Sequence, residues 1–377
     1  MINFELLHSD GAARCGRLKT PVGDVRTPAF MPVGTAGTIK GLTPKMLQEV
    51  GAEIILANTY HLILRPGVDV VASLGSLHGL SGWKGPILTD SGGYQVFSLA
   101  HLRNIDQEGV TFSSHIDGKE IRLTPSGVID AQHKLGPEII MQLDVCPPAE
   151  TPRNEIEAAV ERSAAWAAIC KERWISLGRC SSSGRPQSLF GIQQGGVFED
   201  LRKSSAKMLV DLDLDGYAIG GLSVGEGHGA MAATLDSIHD LFPRVKPRYL
   251  MGIGEPRDII EAVRRGVDMF DCVMPTRNGR NAQAFTFNGR LRLRNASLKA
   301  DNDPIEEQCD CYACRNFSRG AIRHFFNAGE MLGPILVSIH NLRFLFLFVE
   351  RLRKAIFENV FDREAGKILE SFYKTDL

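Results

Sequence analysis

The stretch GPILTDSGGYQVF, residues 85–97, places a carboxylate directly after a short apolar run. Asp90 ends the run, and Ser91, two glycines and Tyr94 follow it. Residues with little side chain let a ligand come close to the main chain, and at the end of a buried strand they are typical of a binding site. The other apolar runs of the chain indicate which fold holds this strand.

Seven other short apolar runs with polar or glycine exits recur along the chain. They are PAFMPVG (28–34), EIILANTY (53–60), EIIMQLDVC (138–146), LFGIQQGG (189–196), GYAIGGLSVG (216–225), RYLMGIGE (248–255) and MFDCVMP (269–275). Each predicts a strand buried on both faces, as in a parallel sheet. Helical patterns fall between many of them, such as TPKMLQEVGA from Thr43 and the long segment 152–178. Eight strands alternating with helices predict an α/β fold, a (β/α)8 TIM barrel.

An open doubly wound sheet is the alternative fold, but its G-x-G-x-x-G fingerprint is absent from the first strand-helix turn. Residues 98–124 interrupt the alternation of strands and helices. They contain VTFSSHIDGKEIRL, which predicts a two-stranded hairpin that turns at Asp117 and Gly118. We expect this insertion to lie over the mouth of the barrel.

The composition is that of an ordinary globular protein, with 44% hydrophobic residues and a net charge of −1 over 377 residues. The first residues lack a basic segment followed by an apolar one. The most apolar late run, FLFLFV at 344–349, is far shorter than the roughly 20 residues of a membrane span. We therefore expect a buried helix there, a cytoplasmic location and no membrane partner.

Three carboxylates end predicted strands, namely Asp90, Asp144 and Asp271. A single aspartate in such a place can simply cap the next helix. Three of them at the C-terminal mouth of a barrel favour an active site. Two carboxylates with separate roles, one as nucleophile and one as proton carrier, suit chemistry at a glycosidic or N-glycosidic bond. Gln194 and the Gly221 amide suit the edge of a heteroaromatic ring, and Tyr94 and Tyr249 could stack on its face or pack in a core.

Three cysteines are bunched in CDCYAC, as Cys309, Cys311 and Cys314. This C-x-C-x2-C spacing predicts a zinc site, and a histidine would complete a closed tetrahedral set. His340 and His324 are both candidates for the fourth ligand, and His340 could instead be a packed histidine of an apolar helix. A closed Cys3His set leaves no position for substrate, so the expected zinc is structural.

A local basic strip covers residues 274–300, which contain no acidic residue. It can be a solvated surface loop, but beside a small zinc module it favours phosphate contacts to nucleic acid. The cationic residues of the strip are Arg277, Arg280, Arg290, Arg292, Arg294 and Lys299.

The strand-end motifs, the cysteine cluster and the basic strip together resemble the bacterial type of the tRNA-guanine transglycosylase family. This family is also called the queuine tRNA-ribosyltransferase family. The resemblance covers nearly the whole chain. It implies a catalytic barrel over residues 1–377, with a zinc-binding subdomain at 276–345 inserted after the eighth strand. The motifs that carry it are TDSGGYQVFSL, LFGIQQGGVFEDLR, GYAIGGLSVGEG, RYLMGIGEP, DCVMPTRNGRNAQAFT and CDCYAC with HNL.

The resemblance implies exchange of the wobble guanine in tRNAs with GUN anticodons, those for Asp, Asn, His and Tyr. The incoming base would be 7-aminomethyl-7-deazaguanine, and the exchange a step of queuosine biosynthesis. Asp271 matches the nucleophile that forms a covalent RNA–enzyme intermediate, and Asp90 matches the general acid/base. The matched base-binding residues are Ser91, Tyr94, Asp144, Gln194, Gly221, Leu222, Glu226 and Met251.

The resemblance further implies that Cys309, Cys311, Cys314 and His340 hold one structural Zn²⁺ per subunit. It implies that the basic strip binds the tRNA anticodon loop and that the protein is a homodimer. Val224 matches the valine of bacterial members, whereas Val145 stands where those members often have glutamate, so queuine stays an alternative substrate.

Two other functions remain as rivals. A non-catalytic tRNA-binding partner subunit is disfavoured because Asp90 and Asp271 are both present. A metal-dependent hydrolase on the same fold would need histidine ligands at strand ends, often as H-x-H, and that motif is absent.

Overall fold

The computed structural model describes residues 1–99, 103–222 and 225–374. Its strands are β1 (Asn3–Asp10), β2 (Ala13–Thr20), β3 (Gly23–Thr27), β4 (Ala29–Pro32), β5 (Ile55–Ala57), β6 (Ile87–Thr89), β7 (Arg103–Ile105), β8 (Val110–Ser113), β9 (Glu120–Leu123), β10 (Ile139–Met141), β11 (Ser188–Gln193), β12 (Gly216–Ile219), β13 (Arg248–Leu250), β14 (Met269–Cys272), β15 (Gln283–Thr286) and β16 (Gly289–Arg292).

Its helices are α1 (Pro44–Val50), α2 (Thr59–Leu64), α3 (Val68–Ser73), α4 (Ser76–Ser81), α5 (Gly93–Leu99), α6 (Pro125–Leu135), α7 (Arg153–Ser176), α8 (Glu199–Asp211), α9 (His228–Ile238), α10 (Pro256–Arg264), α11 (Met274–Arg280), α12 (Tyr312–Asn316), α13 (Arg319–Ala328), α14 (Leu332–Phe357) and α15 (Phe361–Phe372). A short 3₁₀ helix, Ala296–Leu298, lies between β16 and α12.

Eight parallel strands form the central barrel, in the order β4-β14-β13-β12-β11-β10-β6-β5. A parallel bridge between Val33 and Leu56 joins the two end strands. The Gly34 amide donates to the Leu56 carbonyl at 2.7 Å across the same seam. Each strand overlaps one of the eight predicted apolar runs. The predicted (β/α)8 barrel is therefore confirmed, and the C-terminal ends of all eight strands surround one mouth.

An antiparallel sheet of β1, β2 and β3 covers the other end of the barrel. Phe4, Leu18 and Val25 from this sheet belong to the same buried cluster as the side chains inside the barrel. The Ile2 amide donates at 2.9 Å to Ser188, the first residue of β11, which places the sheet at the N-terminal strand ends. This sheet was not predicted from the sequence.

The insertion between β6 and α6 is a three-stranded antiparallel sheet rather than the predicted two-stranded hairpin. The predicted hairpin corresponds to β8 and β9, and Gly118 takes a positive φ of 72° in its turn. β7 is the additional strand, and it pairs with β8. Its three residues, Arg-Asn-Ile, are too few and too polar to show a strand pattern.

The helix α14 is the longest of the described helices, with 26 residues. By length and apolar composition it could span a membrane, but 72% of its most apolar window is buried inside the fold. It packs against α11, α12 and β15, which connects the barrel to the cysteine cluster. The prediction that residues 344–349 form a buried helix is confirmed.

Local chemistry sets the helix boundaries that the sequence indicated. The Thr43 hydroxyl accepts from the Met46 amide at the start of α1, and Gly51 ends that helix in the left-handed conformation. The Thr124 hydroxyl accepts from the Gly127 amide in the same way at the start of α6. Such caps satisfy amide groups that would otherwise lack a partner at a helix end.

Candidate active site and metal cluster

A cavity of about 520 Å³ lies at the C-terminal mouth of the barrel. Asp90, Asp144 and Asp271 all line it, since β6, β10 and β14 end there. The structure thus brings together the three strand-end carboxylates that the sequence singled out. The other predicted site residues that line this cavity are Ser91, Tyr94, Gln194, Gly221, Leu222, Met251 and Arg277.

Asp90 is held by three donors. Asn58 Nδ2 and Gln95 Nε2 donate to its Oδ2 at 2.6 and 2.8 Å, and the Thr59 amide donates to its Oδ1 at 2.7 Å. Burial raises the pKa of Asp90 to about 6 against these hydrogen bonds, and the charge of Asp271 adds to the rise. A carboxyl group with such a pKa can both give and take a proton near neutral pH.

Asp144 is the second buried carboxyl group. Ser91 Oγ donates to its Oδ1 at 3.0 Å, and Gln194 Nε2 donates to its Oδ2 at 2.7 Å. Burial raises the pKa of Asp144 to about 6, while the two hydrogen bonds oppose the rise. A Cβ atom at Gly93 would come within 2.7 Å of Asp144 Oδ1, so this close approach requires a glycine.

Asp271 has both of its described hydrogen bonds on one oxygen. The Tyr249 hydroxyl donates to Oδ1 at 2.6 Å, and the Gly252 amide donates to the same oxygen at 2.8 Å. Burial raises the pKa of Asp271, and the two donors oppose that rise. Tyr249 lines the cavity but is fully buried, in agreement with the packed-core alternative: its ring belongs to the barrel interior and its hydroxyl binds Asp271.

The turn after β12 forms one wall of the cavity through Gly220, Gly221 and Leu222. Gly221 has a positive φ of 63°, and a Cβ atom there would lie 2.4 Å from Gln194 Oε1. That oxygen is buried and has no partner among the described residues, so a ligand N–H can use it.

Two predicted specificity residues are placed differently. Val224, on which the choice between the aminomethyl base and queuine rests, lies outside the described residues. Glu226 is half-buried and is not among the described residues of the cavity wall, although its charge acts on Arg202. Its predicted contact with the aminomethyl group stays a prediction.

Several residues of the site were not predicted from the sequence. Gln95 lies five positions after Asp90, in the first turn of α5, and contacts it. His61, in α2, lines the cavity, and burial lowers the pKa of its imidazole. Cys272 lines the cavity beside Asp271. Only Gln95 had a usable signal, because a polar side chain one helical turn past a strand end can reach back to it.

The four predicted metal ligands form one cluster. The ligand atoms of Cys309, Cys311, Cys314 and His340 all lie within 4.8 Å of one another. His340 Nδ1 faces the sulfur atoms of Cys314 and Cys311 at 3.2 and 3.8 Å. His340 Nε2 donates at 2.7 Å to the Phe285 carbonyl, so Nε2 carries the proton and Nδ1 has a free electron pair for a metal ion. This donor set fits a bound metal ion, and His340 rather than His324 completes it.

Two arginines of the basic strip, Arg290 and Arg292, lie on β16. Arg277 lines the cavity, and Arg290 forms an ion pair with Glu255, another cavity residue. Arg280 is half-buried, whereas Arg292 and Arg294 are exposed. Of the cations that the sequence grouped together, Arg277 therefore lies at the cavity and Arg290 contacts one of its lining residues.

Comparison with known proteins agrees with this architecture. The sequence model of the family described as Queuine tRNA-ribosyltransferase matches residues 9–374. A protein of that name from Thermus thermophilus is 51% identical over 355 residues, which cover 94% of this chain and 90% of the relative. The protein of that name from Thioalkalivibrio sulfidiphilus is 51% identical over 357 residues, or 95% of this chain and 94% of the relative. The chain belongs to the queuine tRNA-ribosyltransferase family, as its motifs predicted.

Proposed function

We propose that this protein exchanges a guanine base in tRNA for a 7-deazaguanine base at the N-glycosidic bond. The observation that carries the proposal is the convergence of Asp90, Asp144 and Asp271 on one cavity in a chain of this family. The target base must leave the RNA stack to enter such a cavity, which is least costly in a loop. The anticodon loop and the wobble guanine of GUN anticodons, those for Asp, Asn, His and Tyr, form the finer part of the proposal.

The reaction is a double displacement. Asp271 attacks the anomeric carbon of the ribose with Oδ2, because Tyr249 and Gly252 hold Oδ1. The bond from that carbon to guanine breaks, and Asp90 gives its proton to the leaving base. The incoming base then returns a proton to Asp90 and displaces Asp271, with retained configuration at the sugar carbon.

In this proposal, Asp144, Gln194 and the Gly221 amide recognise the base. Asp144 and Gln194 present an acceptor and an amide to the base edge, and the Gly221 amide adds a donor. Ser91 fixes Asp144 through its 3.0 Å hydrogen bond. Tyr94 and Met251 enclose the faces of the ring.

The incoming base in this proposal is 7-aminomethyl-7-deazaguanine, with Leu222 and Glu226 contacting its aminomethyl group. The matches at Val224 and Glu226 support this bacterial type. Queuine is the alternative incoming base.

The remaining parts of the proposal concern assembly. Cys309, Cys311, Cys314 and His340 would hold one Zn²⁺ per subunit, and a closed tetrahedral zinc supplies only structural cross-linking. The metal would organise a subdomain over residues 276–345 that presents the basic strip, Arg277 to Arg294, to tRNA. A homodimer and a cytoplasmic location complete the proposal.

A base chase tests this function. Unmodified tRNA is first loaded with radiolabelled guanine and then chased with the aminomethyl base or with queuine. Release by the aminomethyl base alone supports the full proposal, and release by queuine keeps the activity but replaces the substrate. Release by neither, with tRNA still bound, would favour the non-catalytic partner subunit.

A further inference from the structure

Arg202 is a fully buried arginine on α8, directly behind the wall of the cavity. It is not among the described residues that line the cavity, whereas Gly220, Gly221 and Leu222 are. The turn after β12 therefore separates its guanidinium group from any bound base. This role could not be predicted from the sequence, since an arginine between Leu201 and Lys203 is typical of the surface of an amphipathic helix.

The described hydrogen bonds of the Arg202 side chain all go to main-chain carbonyl groups at two strand ends. Nη1 donates at 3.2 Å to the carbonyl of Gln193, the last residue of β11. Nε donates at 2.8 Å to the carbonyl of Gly196, three residues later. After β12, Nη1 donates to Gly220 O at 2.8 Å and Nη2 to Gly221 O at 3.3 Å. One guanidinium group thus fixes the relative position of two adjacent strand ends.

The contacts with Gly220 and Gly221 determine where the following amides point. In a planar trans peptide the carbonyl and the next N–H point in opposite directions. With the Gly220 carbonyl turned to Arg202, the Gly221 N–H points toward the cavity side. With the Gly221 carbonyl turned the same way, the Leu222 N–H does so too.

The surroundings of Cys146, a cavity residue, agree with this orientation. Burial raises the pKa of its thiol to about 12, and a hydrogen bond from the main chain of Gly221 is among the smaller opposing effects. The Gly221 amide therefore faces a side chain of the cavity wall. A bound base that displaces this weak sulfur contact would meet an N–H group already aimed at it.

The charge of Arg202 is retained in this position. Burial lowers the pKa of its guanidinium group to about 10, with the Cys146 thiol and the Glu226 carboxylate acting against that change. The group therefore stays protonated at neutral pH, and charged donors bind carbonyl oxygens more strongly than neutral ones. A lysine would keep the charge but could not reach four carbonyl groups in one plane.

We propose that Arg202 is a positioning residue for base recognition, which holds the Gly220 and Gly221 carbonyls away from the cavity so that the Gly221 and Leu222 amides face the purine-like base. This inference rests on the proposed function for the nature of the base. It assigns the orientation of the turn after β12 to a residue that contacts neither the tRNA nor the free base.

The test measures binding of free guanine to the full-length protein by calorimetric titration, for the wild type and for Arg202→Lys. Arg248→Lys is the matched control, because Arg248 is also buried and also donates to two carbonyl groups, of His239 and Phe242, but is not among the described residues that line the cavity. We expect Arg202→Lys to weaken guanine binding about tenfold or more, the effect of losing one recognition hydrogen bond. Arg248→Lys should bind guanine within about twofold of the wild type, since its contacts lie elsewhere.

Equal guanine affinity in the wild type and Arg202→Lys would overturn the inference, as would an equal loss in Arg248→Lys. If Arg202→Lys does not fold, hydrogen exchange of the wild type decides: guanine must slow exchange at the Gly221 and Leu222 amides, and unchanged exchange overturns the inference. Because guanine binding is measured without tRNA, a wild type that binds guanine but exchanges none contradicts the proposed function separately.

Discussion

Tyr249 donates its hydroxyl to Asp271 Oδ1 at 2.6 Å from within the barrel interior. The Gly252 amide donates to the same oxygen at 2.8 Å. The carboxylate is therefore held through one oxygen, and Oδ2 has no hydrogen bond to the residues that the structure describes. A nucleophile fixed in this way keeps its orientation without losing the oxygen that must attack.

Replacing Tyr249 by phenylalanine should slow base exchange about 10- to 100-fold, because a positioned donor to the reacting carboxylate is lost. The KM for tRNA should change little. The Tyr249 hydrogen bond lowers the pKa of Asp271, so its loss should move the acid limb of the pH–rate profile to higher pH. Steady-state kinetics between pH 5 and pH 9 measure both effects.

Tyr217→Phe is the control for this substitution. Tyr217 is equally buried, lies on the neighbouring strand β12 and does not line the cavity among the described residues. Its variant should keep the wild-type profile. An unchanged acid limb in Tyr249→Phe would show that the hydroxyl does not act on the nucleophile.

The raised pKa of Asp144 predicts a pH-dependent stability cost. The folded carboxyl group, with a pKa of about 6, keeps a proton that the unfolded chain releases near its ordinary 3.8. Stability therefore falls as the pH rises from 3.8 to 6 and stays reduced above that window. Asp144→Asn removes this cost, because its amide can donate to Gln194 Oε1 once that side chain turns over.

Urea unfolding at several pH values measures this effect. The free energy of unfolding of Asp144→Asn should equal that of the wild type near pH 4 and exceed it by up to about 3 kcal/mol above pH 6. Asp200→Asn is the control. Because Arg153 lowers the pKa of that exposed carboxyl group, the change in unfolding free energy with pH should have the opposite sign. A constant difference between Asp144→Asn and the wild type at all pH values would contradict the assignment.

The barrel was predictable because each of its strands is buried on both faces and ends in a polar or glycine residue. The metal cluster was predictable because three of its four ligands lie within six residues of the sequence. The sheet β1–β3 was missed because its outer face is polar and exposed, so its strands lack a continuous apolar run. The roles of Arg202 and Tyr249 were missed because burial and partner, not residue type, define them.

Substitution of Cys311 by serine should release the bound metal and lower the melting temperature, because the cluster joins the segment 309–314 to α14. Elemental analysis should find about one zinc per chain in the wild type and far less in the variant. Cys180→Ser is the control, since Cys180 is a free cysteine outside the cluster. A Cys311→Ser variant that keeps its zinc and its melting temperature would refute the structural role.

Arg277→Ala should weaken tRNA binding with little change in guanine binding, because Arg277 lies on the cavity rim at the start of the basic strip. Loss of one phosphate contact should reduce the slope of log affinity against log salt by about one. Arg153→Ala, on α7 and paired with Asp200, is the control and should leave the slope unchanged. Equal slopes for the wild type and Arg277→Ala would exclude a phosphate contact there.

The role of Asp271 as nucleophile is tested most directly by trapping the covalent RNA–protein species. The protein is mixed with tRNA, quenched rapidly in acid, digested and analysed by mass spectrometry, with Asp271→Asn in parallel. That variant keeps an acceptor for Tyr249 and Gly252 and should fold normally, while exchange falls about 1,000-fold or more because a covalent nucleophile is lost. We expect a ribose adduct on Asp271 in the wild type and none in the variant. An adduct on another residue, or exchange by Asp271→Asn at the wild-type rate, would contradict the account.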